Sequence, residues 1–149
     1  MSIMRRIFAL IPLLAVVATC TTFAPARAQS TAPVKIALIT DMSGVYASLT
    51  GPGAQTAVQM AIDDFGGKVL GRPITLTVYD HHNKGPEAER ESREFFDGGG
   101  DMVVDLTTSP TAFATAVVAK QYKKLVLVTG AASSALTGSL CSKYTYHYA

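Results

Sequence analysis

The residues of this 149-residue chain best placed to do chemistry are small hydroxyls and backbone donors beside predicted helix starts. Thr107-Thr-Ser109 stands directly before a helix that opens at Pro110, and Gly130-Ala-Ala-Ser-Ser134 follows an apolar strand. Helix N-termini carry unpaired N–H groups and the positive end of the helix dipole, which suit a carboxylate. A hydroxyl beside them adds one more hydrogen bond. Ser109 can serve as a cap for its own helix or as a ligand contact, and the two roles are compatible.

Other chemistries find less support. A dinucleotide site needs G-x-G-x-x-G directly after the first strand. That position holds Asp41-Met-Ser-Gly-Val-Tyr-Ala-Ser-Leu-Thr-Gly-Pro-Gly53, whose glycine spacing is wrong and whose Pro52 lacks an N–H. Thr129-Gly-Ala-Ala-Ser-Ser134 resembles the glycine-rich start of short-chain dehydrogenases, but Ser134 and Leu136 stand where further glycines belong. No G-x-S-x-G elbow and no phosphate loop ending in Gly-Lys-Ser/Thr occurs. Asp80-His-His-Asn83 has no third ligand at metal spacing and reads as a polar loop after a strand. The Glu and Arg residues from Glu87 to Glu94 read as a solvated helix face. The expectation is therefore a binding protein, not an enzyme, with no catalytic residue, cofactor or metal.

The elements that must position these loops alternate. Val34–Asp41 is a short β-rich run, Pro73–Asp80 alternates at period two, and Asp101–Leu106 and Leu125–Thr129 are buried runs. Between them, helices are predicted from Pro52 or Gly53 to about Phe65, from Lys84-Gly-Pro86 to Phe96, and from Pro110 to Gln121. In the first, Ala54, Ala57, Val58, Ala61, Ile62 and Phe65 share one helical face. Gly66-Gly67 and Gly98-Gly-Gly100 end the first two helices. This β-α-β-α-β-α-β order predicts an α/β, Rossmann-like parallel sheet with right-handed crossovers. In such sheets ligands bind beyond the carboxyl ends of the strands, where strand order reverses. That rule selects the loops after Asp41, Asp80, Leu106 and Thr129.

The first 28 residues stand apart. Arg5 and Arg6 precede the apolar run Ile7–Thr19, and Ala26-Arg-Ala28 supplies small residues for cleavage before Gln29. The run is shorter than the ~20 residues of a spanning helix and contains Pro12. Residues 1–28 are therefore expected to be a cleaved secretory signal, which would export residues 29–149. Arg5-Arg6-Ile7-Phe8 resembles a twin-arginine signal, although the strongly apolar run suits the general pathway better. Cys20 would be a lipidation site but for Thr19, which is larger than the small residue normally required there. Loss of Arg5, Arg6 and Arg27 takes 13 basic residues to 10, against 11 acidic. No basic patch then argues for nucleic acid. Cys141 is left as a lone cysteine, either a buried thiol or one whose partner lies elsewhere.

Several segments in order resemble one family. The first strand with Ser43-Gly-Val-Tyr46, the helix that follows it, and Gly66-Gly-Lys-Val-Leu-Gly71-Arg-Pro-Ile74 are similar to the opening of type I periplasmic solute-binding proteins of the branched-chain amino acid ABC transporter group, the Leu/Ile/Val-binding-protein-like family. Val103–Ser109 and Thr129–Thr137 resemble its two ligand loops, and Cys141–Tyr148 the segment before its next binding helix. The resemblance implies that Ser109 binds a ligand carboxylate. It implies that Ala131 and Ala132 offer backbone groups, beside the Ser133 hydroxyl, to the ligand's carboxylate or amino group, and that Tyr46 walls the pocket. It further implies an ABC permease in the inner membrane as partner and an amino acid, amide or aromatic acid as ligand. Residues 29–149 would be a partial N-terminal lobe, with the second lobe absent and ligand binding by this chain alone weak or nil. The same fold also serves ligand-sensing receptor modules, which is the alternative function.

Overall fold

A computed structural model describes residues 31–148. The expected signal segment and Cys20 lie outside the described residues. Six strands form one sheet: β1 (Val34–Thr40), β2 (Lys68–Val69), β3 (Arg72–Asp80), β4 (Met102–Asp105), β5 (Leu125–Val128) and β6 (Thr145–His147). Their spatial order is β2-β3-β1-β4-β5-β6. All neighbours are parallel except β2 and β3, which pair antiparallel.

Three helices connect the strands: α1 (Gly51–Asp64), α2 (Gly85–Asp97) and α3 (Ser109–Tyr122). Each carries a proline in its first turn, where the missing N–H costs nothing and the fixed φ favours helix entry. Lys123 ends α3 in the left-handed conformation, with φ 55°. The predicted elements are present with bounds displaced by a residue or two. The short strands β2 and β6 go beyond the sequence expectation. Both are brief edge strands, and so few residues show no period of their own.

Strand residues alternate between two faces. Ala37, Ile39, Val103, Val126 and Val128 join Phe95, Phe96, Ala112, Ala116 and Ala119 in the hydrophobic core beneath α2 and α3. The small residues of α3 let it approach α2 closely, and Ser92 and Thr115 share a buried hydrogen bond of 3.0 Å between the two helices. On the opposite face, Ile36, Val104 and Leu127 line a groove of about 710 Å³ beside α1. The apolar stripe of α1 does point there, with Ala54, Val58 and Ile62 on its wall. Of that stripe only Ile62 is buried, and Phe65 remains 66% exposed. The period of α1 thus identifies its inward face, while the depth of burial depends on what else lies on the sheet.

The face of α2 differs from the sequence expectation. Arg90 pairs with Glu87 and Glu94, and Arg93 with Glu89, as solvated pairs. Glu91, in contrast, is buried, with Oε2 lacking a hydrogen bond. Burial and the charges of Glu87, Asp80 and Glu94 outweigh Arg90 and push its carboxyl up to about 7.

Candidate functional site

Strand order reverses on either side of β1. The chain passes from β1 to β3 in one direction and then crosses back to β4. The loops after β1 and β4 therefore diverge, which opens the crevice where such sheets bind ligands. Hydroxyls link the two loops at their base. Thr107 Oγ1 lies 3.2 Å from Thr40 Oγ1 and 3.0 Å from Thr50 Oγ1, and it accepts the Asp41 N–H at 3.2 Å.

Two carboxylates shape the loop after β1. The buried Asp41 accepts N–H groups from Gly44 at 2.7 Å and Tyr46 at 2.9 Å. Gly44 is required there, because a Cβ would collide with the Asp41 carboxylate. Asp80, at the end of β3, accepts from the Met42 N–H, the Ser43 hydroxyl and the His82 N–H at 3.0, 2.7 and 3.0 Å. Burial alone would raise its carboxyl, but these hydrogen bonds and His82 hold it below the usual range. Asp80 thus ties the first loop to the second.

The Asp80-His-His-Asn83 loop is built inward more than a polar surface loop would be. His81 is fully buried. Its Nδ1 accepts the Asn83 N–H at 2.9 Å, so Nε2 carries the proton and finds no partner. Burial lowers its pKa despite the nearby Asp41, Asp105 and Asp80. Asn83 Oδ1 accepts the Thr108 hydroxyl at 2.8 Å, which joins this loop to the start of α3. Among the described residues no cluster of three metal-ligating side chains occurs.

The two loops expected to bind ligand are in contact. A Cβ on Gly130 would lie 2.9 Å from Thr107 Cα and 3.0 Å from its carbonyl oxygen. Only glycine allows this approach. Asp105 and Leu106 adopt positive φ, 87° and 63°, and turn the chain out of β4. Asp105 holds the neighbouring loop through the Thr129 hydroxyl at 2.8 Å and through the Thr129 N–H at 3.0 Å.

Ser109 proves to be the first residue of α3, and Thr108 is the residue that caps it. The Thr108 N–H bonds the Thr111 hydroxyl at 3.3 Å. The half-buried Ser109 hydroxyl has no hydrogen-bond partner among the described residues. Ala131 is buried and Ala132 exposed. Ser133 accepts the Ala135 N–H at 3.3 Å and caps a short 3₁₀ turn, Ser134–Leu136. Tyr46 sits in the first loop with its side chain over a third exposed. None of Ser109, Ala131, Ala132, Ser133 and Tyr46 lines the 710 Å³ groove, which lies on the α1 face of the sheet. These five residues belong instead to the loops on the sheet's carboxyl edge. Sequence reasoning missed His147, whose Nε2 lies 2.5 Å from the Ala131 carbonyl oxygen. It also missed Thr107 as a hub. Neither has a spacing signal, because each acts across strands.

A mostly parallel sheet with helices on its faces and contacting loops at its switch point defines an α/β lobe. The chain belongs to the periplasmic binding protein family, whose profile matches residues 33–149. It is similar to a periplasmic binding protein from Burkholderia mallei, with 46% identity and a TM-score of 0.76 over 78% of this chain and 31% of that one. A branched chain amino acid ABC transporter periplasmic ligand-binding protein from Burkholderia xenovorans LB400 shares 42% identity, with a TM-score of 0.72 over 74% of this chain and 30% of its own. A solute-binding protein of an ABC transporter from Rhodopseudomonas palustris BisB5, in complex with 3,4-dihydroxybenzoic acid, shares 26% identity, with a TM-score of 0.70 over 79% of this chain and 32% of its own. The chain thus spans under a third of the length of these relatives. No match was found among curated proteins.

Proposed function

We propose that this chain supplies the first-lobe half of a ligand site in the substrate-binding component of an ABC importer. It captures an amino acid or a similar small carboxylate or amide in the periplasm, after removal of residues 1–28, and it catalyses no reaction. An ABC permease of the inner membrane is its partner. The observation that carries this reading is the contact of Gly130 with Thr107, which brings the loop of Ser109 against the loop of Ala131, Ala132 and Ser133. The relatives support it, since one is described as a branched-chain amino acid transporter component and another holds a dihydroxybenzoic acid. The Ser109 hydroxyl and first-turn N–H groups of α3 receive the carboxylate, the Ala132 backbone meets it from the facing loop, and Tyr46 walls the site.

Small-ligand sites bury 70–90% of the ligand, roughly, so one lobe alone binds weakly. A chemical-shift titration of the isotope-labelled chain with millimolar small carboxylates, amides and amino acids tests the reading. Shifts confined to the amides of Ser109 and Ala131–Ser133 are expected. Shifts scattered elsewhere would refute it.

A further inference from the structure

We propose that His81 is a positioning residue: its neutral ring holds Asn83, Asn83 holds Thr108, and a proton taken up at Nδ1 releases the start of α3. This latch needs no ligand to operate. Its consequence for capture rests on the binding reading above, because Ser109 directly follows Thr108.

His81 is fully buried just beyond β3, and its Nδ1 accepts the Asn83 N–H at 2.9 Å. A backbone N–H can only donate, so Nδ1 is the bare nitrogen and Nε2 carries the ring's proton. Nδ1 is then the only ring atom able to take a second proton. A proton from solvent and the Asn83 N–H compete for one lone pair, and both cannot be held. Asn83 Oδ1 in turn accepts the Thr108 hydroxyl at 2.8 Å, and Thr108 caps α3. His82 and Asn83 both stand at positive φ, 47° and 56°. Two successive left-handed residues other than glycine are unfavourable, so the turn depends on its hydrogen bonds for its shape. The loop also leads into a close approach to the helix it positions: a Cβ on Gly85 would lie 3.2 Å from the Pro110 carbonyl oxygen.

Charges reach the ring from several sides. Burial is the strongest influence and opposes a charge on it, with help from His82, while Asp41 beyond β1, Asp105 on β4 and Asp80 on β3 favour one. α3 carries no charged side chain before Lys120. On α2, Glu87 pairs with Arg90, and Glu91 is buried. Burial prevails and lowers the ring's pKa. The latch is therefore closed above the ordinary 6.5 and opens only as pH falls below it. A charged ring would also hold its Nε2 N–H in a site with no hydrogen-bond partner.

The test follows the isotope-labelled full chain, without ligand, by NMR between about pH 8 and about pH 4. Ring carbon shifts read protonation of His81. Amide shifts and hydrogen-exchange protection read Asn83, Thr108 and Ser109. The Gly44 and Tyr46 amides, bound by Asp41, report that carboxylate separately. The ring should titrate below 6.5, and protection of the Asn83 amide should fall roughly fivefold with the same midpoint, as for the loss of one net hydrogen bond. The Thr108 and Ser109 amides should shift in step. Asn83→Gly keeps the N–H and suits the positive φ but removes Oδ1, so the ring should still titrate while Thr108 and Ser109 cease to follow it. His81→Asn keeps an acceptor for the same N–H, as in an Asx turn, but cannot titrate, and it should abolish the response at all three amides. If His81→Asn fails to fold, the wild type and Asn83→Gly decide the matter. A ring that titrates above 6.5, or stays neutral throughout, would overturn the latch. So would Thr108 and Ser109 amides that ignore the ring, follow Gly44 and Tyr46 instead, or respond unchanged in Asn83→Gly. Each of these results leaves the binding reading standing, since no ligand enters the test.

Discussion

Replacing Glu91 with glutamine should remove a pH dependence of stability that the wild type carries. Glu91 is 4% exposed on the inner side of α2, and its Oε2 has no hydrogen-bond partner. Its closest cation, Arg90 Nη2, is 3.6 Å from Oε1 and over half exposed. Burial, together with Glu87, raises the carboxyl from the usual 4.5 to about 7. The folded state therefore holds a proton that the unfolded state releases between those two values. Stability from this group is full below pH 4.5, falls as pH rises, and is lost once pH passes about 7. Each tenfold gain in proton affinity is worth about 1.4 kcal/mol, so the loss amounts to roughly 3 kcal/mol at most. Urea denaturation of both proteins at several pH values from acid to mildly alkaline would measure it. The wild type should lose stability across that range relative to Glu91→Gln, whose amide cannot ionise, and the variant should be the more stable at the alkaline end. Parallel curves would show that Glu91 ionises in the folded state at its ordinary value, and the account of its burial would then be wrong.

Further perturbations probe the site. Gly130→Ala should cost about 1–3 kcal/mol in urea denaturation, because its Cβ would press on the Thr107 backbone, and it should abolish ligand-induced shifts at Ser109. Gly53→Ala is the control: its Cβ meets nothing within 4 Å, so the helix should gain roughly 0.5–1 kcal/mol with the site unchanged. Thr107→Val keeps the shape but leaves the Asp41 N–H without its acceptor, at a cost of about 1–3 kcal/mol by the same assay. Asp41→Ala should speed amide hydrogen exchange at Gly44 and Tyr46, whose N–H groups the carboxylate binds, while amides on β5 stay protected.

The sequence by itself determined the alternation of strands and helices, since short apolar runs and stripes at helical period are local properties of the chain. It also determined which strand ends carry polar loops. Burial was less legible. Glu91 falls within a run of charged residues that reads as solvated, yet its position on α2 turns it inward. His81 reads as part of an exposed loop, yet the turn after β3 folds it wholly inside. The stripe of α1 shares one helical face, yet only Ile62 of it is buried. The cross-strand connections were not legible at all. Asn83 and Thr108 are 25 positions apart and Ala131 and His147 are 16 apart, and Gly130 meets Thr107 across a similar interval. Chain order carries no signal for such pairs. Only the order β2-β3-β1-β4-β5-β6 decides which loops meet, because parallel strands bring their carboxyl ends to one edge whatever their separation in sequence.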